Sequence, residues 1–269
     1  MTTITEPTTY PVADARPNAM RDSLVLGGRA LREIIRTPDA LISPIFIPLF
    51  FLVVNVGQAG RIFPDDTPFL DGQNYGAFQL PASLLLSASF GAASLFLVEE
   101  IEGGYFDKLR ATPISRMSLV VGRLYADFAR TLAVSVLMIA LAMMFGIRIA
   151  SGFAGFVVLI LMIAFWAMVF SGFMQLVALK TRSAAATQGA SMIFFPLLFL
   201  TPNFVPRDQL TRPMEIAATL NPVTYVMEAA RSLILVGWDA EALAKGFTVV
   251  IVTMVLMLAL STRMINRYD

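Results

Sequence analysis

Residues 149–179, IASGFAGFVVLILMIAFWAMVFSGFMQLVAL, run for 31 positions without a charged side chain. A helix that crosses the hydrocarbon core of a bilayer needs about 20 apolar residues, so this stretch can make a full crossing with residues to spare. It is not alone. Residues 40–60, 72–98 and 183–206 also carry no charge, and 131–147 and 246–262 become long enough once their flanks are included. The sequence therefore predicts an all-α membrane protein. Six transmembrane helices are expected, at about 39–60, 76–98, 124–147, 153–179, 184–202 and 245–263, within a membrane domain spanning 38–263. A signal peptide is not expected, because the first apolar run starts near residue 40 and no small-x-small site follows it.

Composition agrees. Of 269 residues, 57% are hydrophobic and 14% charged, with mean hydropathy +0.72. A soluble domain is nearer half apolar and a quarter charged. These values exclude a disordered chain, a collagen-like chain and a nucleic-acid binder. The chain has no cysteine and no histidine. Disulfides, thiolate chemistry, Ser-His-Asp triads and most zinc sites are thereby ruled out. No catalytic, metal or cofactor-binding residue is assigned, and no enzyme activity is expected of this chain.

Outside the apolar windows, residues 1–19 are rich in Thr and Pro and read as a mobile tail. Residues 20–37 form an amphipathic segment. Leu24, Leu31, Ile34 and Ile35 gather on one side of a helix, and Arg21, Asp22, Arg29, Arg32, Glu33 and Arg36 on the other. Such a helix suits the headgroup region of a membrane; an ordinary packed surface helix is the other reading. Thr37-Pro38-Asp39 reads as the start of the first span. Pro44, Pro48, Pro81 and Pro196 lie inside expected spans, where neighbouring helices can satisfy the carbonyls they leave free.

With the N-terminus inside and six spans alternating, fourteen of the twenty Lys and Arg fall in inside segments and six in outside segments. Positive residues favour the cytoplasmic side, so both termini are expected there. Residues 203–244, before the last span, contain two apolar pieces, 216–227 and 232–238, each too short to cross. They read as short external re-entrant helices, or as a structured loop, broken at Asn221-Pro222. Glu228 and Arg231 are spaced to pair on one helix face.

Chemistry-bearing residues are few. There is no Walker A phosphate loop. Asp127 and Arg130, three apart within the third span, are placed to neutralise each other. The densest polar segment is 99–123, EEIEGGYFDKLRATPISRMSLVVGR. Its Tyr105, Phe106 and Leu109 cluster on one face, flanked by Asp107, Lys108 and Arg110. This is either a docking knob for a soluble partner or a loop covering the base of the bundle.

Residues 102–116 (EGGYFDKLRATPISR), followed by Gly122-Arg123-Leu124, resemble the cytoplasmic signature of type-2 ABC exporter permeases, most closely the daunorubicin-resistance branch of drug and lipid exporters. Asn203-Phe204-Val205-Pro206, then Asn221-Pro222-Val223-Thr224-Tyr225 and Ala230-Arg231 up to Gly237, are similar to the family's run between its last two spans. Much of the wider family has Glu-x-Gly-Thr where this chain has Tyr105 after Gly104, which favours the drug-exporter over the polysaccharide branch.

The resemblance implies two paired permease chains, identical or homologous, in a bacterial plasma membrane. It also implies two separate ATP-binding subunits, which carry the ATP and Mg, and a hydrophobic drug or lipid as substrate. The segment 99–117 would be a cytoplasmic coupling helix, with Glu99, Glu100, Glu102, Gly104, Phe106, Lys108, Leu109, Arg110, Thr112 and Pro113 as candidate ATPase-coupling residues. Among these, Phe106, Leu109 and Arg110 are the expected contacts. The substrate path would run between spans one, two and five, past Phe90, Met192, Phe194, Phe195 and Phe199. A polysaccharide or glycolipid export permease is the nearest alternative. A secondary transporter would show more intramembrane acids, and a membrane enzyme a convergent polar set.

Overall fold

The computed structural model describes residues 19–37, 39–90, 93–110 and 116–266. The expected tail, up to residue 18, lies outside them. The described residues form helices α1 (Ala19–Arg36), α2 (Asp39–Ala59), α3 (Tyr75–Ala88), α4 (Ala93–Glu102), α5 (Tyr105–Arg110), α6 (Arg116–Met144), α7 (Gly152–Thr181), α8 (Ala184–Ser191), α9 (Phe194–Phe199), α10 (Arg212–Leu220), α11 (Pro222–Leu235) and α12 (Ala240–Asn266).

Among the described residues, four helices, α2, α6, α7 and α12, are long and apolar enough to cross a membrane. The other two expected spans are not single helices. Residues 76–98 divide into α3 and α4. The Ser89 amide bonds the Leu85 and Leu86 carbonyls, and its hydroxyl also donates to Leu85 O at 2.9 Å, which closes α3 there. A hydroxyl that bonds back to the preceding turn competes with helix propagation. Residues 184–202 divide into α8 and α9. Pro196 has no N–H to give Met192 O, which accepts from Phe195 N instead, at 3.1 Å; the ladder breaks at that point. Of the remaining spans, α2 and α7 keep the expected bounds to within two residues, whereas α6 starts at Arg116, eight residues before the expected 124, and α12 at Ala240, before the expected 245.

α3 sits at the centre. All its residues from Tyr75 to Ala88 are buried, covered by α2, α6, α7 and α11. Its Ser87 hydroxyl donates to Pro44 O at 2.6 Å. Pro44 O is the carbonyl left without a helical donor by Pro48, so the neighbour satisfies it as the sequence predicts. The main core joins Phe78, Leu84 and Leu85 of α3 to Met138 and Ile139 of α6, Met162 and Ile163 of α7, and Val226 and Ile234 of α11.

α1 packs along α6. A Cβ on Gly122 would meet Leu26 Cβ at 2.9 Å and the Gly27 amide at 3.0 Å, so the two backbones touch where both helices have glycine. Ser23, Ala30 and Ile34 are buried in this contact, whereas Met20, Leu24 and Ile35 remain exposed. The apolar side thus divides into a packed stripe and an outward stripe. The Thr37 hydroxyl donates to Glu33 O at 3.1 Å and closes α1.

The segment 203–244 holds α10 and α11, divided at Asn221, and α11 joins most of the two pieces expected at 216–227 and 232–238 into one helix. The Asn221 side chain accepts from Val223 N at 3.0 Å and donates to Leu197 O at 2.6 Å, with Pro222 at the first helical position. α11 is deeply buried, not laid on the surface. Its last carbonyls are satisfied from outside: Ile234 O accepts from Ala150 N at 3.0 Å and from Gln73 Nε2 at 2.7 Å, and Leu233 O from Ser151 Oγ at 2.7 Å.

Candidate functional site

At one end of the bundle, α4 and α5 close against the first turns of α6 and the last turns of α7 and α12. Leu97, Val98, Phe106, Leu119, Val120, Leu124, Ala178, Leu179 and Ile265 form a second core there. The chain passes from α4 to α5 through Gly104, whose φ of 69° lies in the left-handed region that glycine adopts without penalty.

Phe106, expected as an outward contact, is 1% exposed and lies inside this core. It anchors α5; burying an aromatic ring there gains more than leaving it in water. Glu99 and Lys108 are exposed. Leu109 and Arg110 belong to α5, but their side chains fall outside the described residues, as do Thr112 and Pro113 entirely.

Glu100 does not face outward either. Its carboxylate accepts from Arg29 of α1 at 2.7 Å and pairs closely with Arg123 of α6. Arg29 also reaches Tyr105 of α5, stacking over its ring at 4.7 Å and donating to its hydroxyl at 3.3 Å. One carboxylate thus ties α1, α4 and α6 together, with α5 held through Arg29. Glu102 accepts from the Ala184 amide at 2.8 Å and so fixes the start of α8. This clamp was not anticipated. Arg29, Glu100 and Arg123 are 71 and 23 residues apart along the chain, and no periodicity relates them.

Above this end, inside the bundle, Asp127 and Arg130 meet at 3.4 Å as their spacing predicts. Ser171 of α7 donates to Asp127 at 2.7 Å, and Gln175 bonds Ser171 at 3.4 Å. The pair is fully buried and links α6 to α7.

At the opposite end, Glu228 and Arg231 do not pair. Glu228 takes a bidentate bond from Arg207, at 3.0 and 2.8 Å. Arg231, 8% exposed, lies 3.5 Å over the Phe78 ring and donates to Phe78 O at 3.3 Å and Pro202 O at 3.0 Å. Tyr75, Phe63 and Phe69 extend this aromatic group. Between α2, α3 and α9 a narrow cleft opens, lined by Phe51, Asn55, Gln79, Phe195, Phe199 and Asn203 among others. Gln79 donates to Tyr75 Oη at 2.7 Å and to Asn203 O at 3.0 Å, and accepts from Asn55 at 3.4 Å.

Of the expected substrate-path residues, Phe195 and Phe199 line this cleft. Phe194 is packed against Phe170 with ring centres 5.4 Å apart, Met192 is exposed, and Phe90 is half-buried against the main core. The polar members Asn55, Gln79 and Asn203 were missed. Each stands singly in an apolar run, and only the packing brings them together.

A profile of the ABC-2 type transporter family matches residues 22–235, which include α2 to α11 and most of α1. The chain belongs to the ABC-2 type transporter family. Among similar proteins, this permease is 26% identical over 225 residues to "Daunorubicin resistance ABC transporter permease protein DrrB1" of Streptomyces coeruleorubidus, covering 81% of this chain and 77% of that one. It is 29% identical over 224 residues to "Putative transport permease ycf38" of Cyanophora paradoxa, covering 80% and 74%. It is 22% identical over 214 residues to "Probable doxorubicin resistance ABC transporter permease protein DrrC" of Mycobacterium tuberculosis, covering 78% and 74%. The permease is thus a membrane component of the ABC class, with relatives named for drug resistance.

Proposed function

We propose that this chain is the membrane subunit of an ATP-driven exporter of hydrophobic or amphiphilic compounds, drug or lipid, in a bacterial plasma membrane. The observation that carries the reading is the family match over most of the chain, joined to relatives named for daunorubicin and doxorubicin resistance. The chain would cross six times, with α3–α4 and α8–α9 as broken passes and both termini cytoplasmic. Two permease copies would pair. Two ATP-binding subunits, holding ATP and Mg, would dock beneath α4–α5 and use the exposed Glu99 and Lys108 together with Leu109 and Arg110.

The Arg29–Glu100–Arg123 clamp supports the coupling role. A push on α4–α5 is delivered to α1 and α6 through charge-assisted bonds instead of being lost in a loose loop. The cleft between α2, α3 and α9, walled by Phe195 and Phe199 with amides at its base, would be the closed form of the substrate path. The test is to purify the full chain from its own membranes. An ABC ATP-binding subunit should come with it, and daunorubicin or phospholipid should raise ATP hydrolysis. A chain that purifies without such a subunit, in mild detergent and with ATP present, defeats the proposal.

A further inference from the structure

We propose that the groove between the last turns of α7 and α12 binds one anionic phospholipid. The groove is open on one side and has a volume of about 650 Å³. Its floor and walls are apolar, with Leu176 and Leu179 from α7 and Leu260 and Met264 from α12. Its rim is cationic, with Lys180 and Arg182 on one side and Arg263 on the other, and no acidic side chain is among its lining residues.

Both walls are helices long and apolar enough to cross a membrane, so the step from apolar to cationic lining fits the level where hydrocarbon gives way to headgroups. Arg182 ends the α7 wall. It sits at the C-cap of α7 with φ 52°, its amide bonded to Ala178 O. Basic residues commonly complement the negative end of a helix dipole, which is equivalent to about half a charge. Lys180 and Arg263 stand on opposite helices and are the two rim cations on which the test below acts. A free phosphate would satisfy the rim but leave the apolar floor in water, whereas a phospholipid fills both, with its headgroup on the cations and an acyl chain along the α7–α12 seam. Basic pockets between membrane helices on the cytoplasmic side are suited to anionic headgroups.

The proposal rests on the membrane assignment and is independent of the exporter reading; a chain with no ATPase partner would still hold the lipid. The test uses the detergent-solubilised full chain, titrated with dioleoylphosphatidylglycerol or dioleoylphosphatidylcholine and read by native mass spectrometry. The chain should retain phosphatidylglycerol in preference to phosphatidylcholine. K180Q/R263Q should bind phosphatidylglycerol roughly thirtyfold more weakly, about fivefold for each charge removed. K180R/R263K, which keeps both charges, should bind as the parent does, and this variant guards against a mere folding defect. Equal binding of the two lipids, or undiminished binding by K180Q/R263Q, overturns the proposal. So does displacement of phosphatidylglycerol by millimolar inorganic phosphate, which would mark a free-anion site. Loss of an ATP-binding subunit with lipid binding unchanged would also overturn it and mark a protein interface.

Discussion

Glu100 shows how much one carboxylate can hold in a chain short of charge. It faces two guanidinium groups, one of them almost fully buried. Removing the acid leaves Arg123 without its nearest counter-charge in a dry site, and breaking such a pair costs about 3–5 kcal/mol. Glu100→Ala should therefore lower the thermal unfolding midpoint of the purified chain by several degrees. Glu100→Leu combined with Arg123→Met should recover much of the loss, since no deeply buried charge is then left unpaired and the partly exposed Arg29 can turn to water. If the single and double variants unfold together, the clamp contributes nothing. Asp127–Arg130 was legible in the sequence because its members share one helix face. The Glu100 clamp was not, because its partners meet only through tertiary packing. The Glu228–Arg231 spacing was misleading for a related reason. Arg207, distant in sequence, offers Glu228 a bidentate partner, and Arg231 finds two carbonyls and a ring instead.

Among the elements, α1 and α5 repay the closest reading. α1 is held to α6 by glycine-to-glycine contact, so Gly122→Val drives a branched side chain into Leu26 and Ser23 O. Overpacking of this kind costs about 1–3 kcal/mol. α1 should be released before the rest of the bundle unfolds, which appears as faster proteolysis within residues 19–36 at an unchanged overall helix content; unaltered cleavage counts against the contact. α5 divides its duties between an inner anchor and an outer surface. Phe106→Ala should cost about 3–5 kcal/mol locally and loosen the whole segment. Lys108→Glu should leave the fold intact and reduce only the amount of ATP-binding subunit that co-purifies. The opposite pattern would exchange the two roles. The sequence showed that 99–116 held a short helix, but periodicity over six residues is too brief to say which side faces in. Helix breaks were also hard to read. Ser89 and Pro196 stand in charge-free runs whose hydropathy alone predicts uninterrupted helices.

For the whole molecule, the all-helical architecture and the membrane class could be read directly from charge-free windows, because a bilayer imposes a fixed length on what crosses it. The number of passes is another matter, since four continuous helices satisfy that length and two broken pairs do not. A cysteine-free chain makes the topology simple to test. Asp66→Cys should react with a membrane-impermeant maleimide on intact cells, and Lys108→Cys only after the cells are opened. Labelling of both from outside would overturn the six-pass arrangement with cytoplasmic termini.

The burial of α3 also bears on how the chain is made. Fourteen residues that include Gln79, Pro81, Ser83 and Ser87 are a poor candidate for leaving the translocon alone. α2 precedes it and can accompany it as a hairpin, yet α6, α7 and α11, which cover its other sides, are synthesised only later. Until those helices follow from the ribosome, α2 is, among the described helices that cover α3, the one already made and able to shelter it.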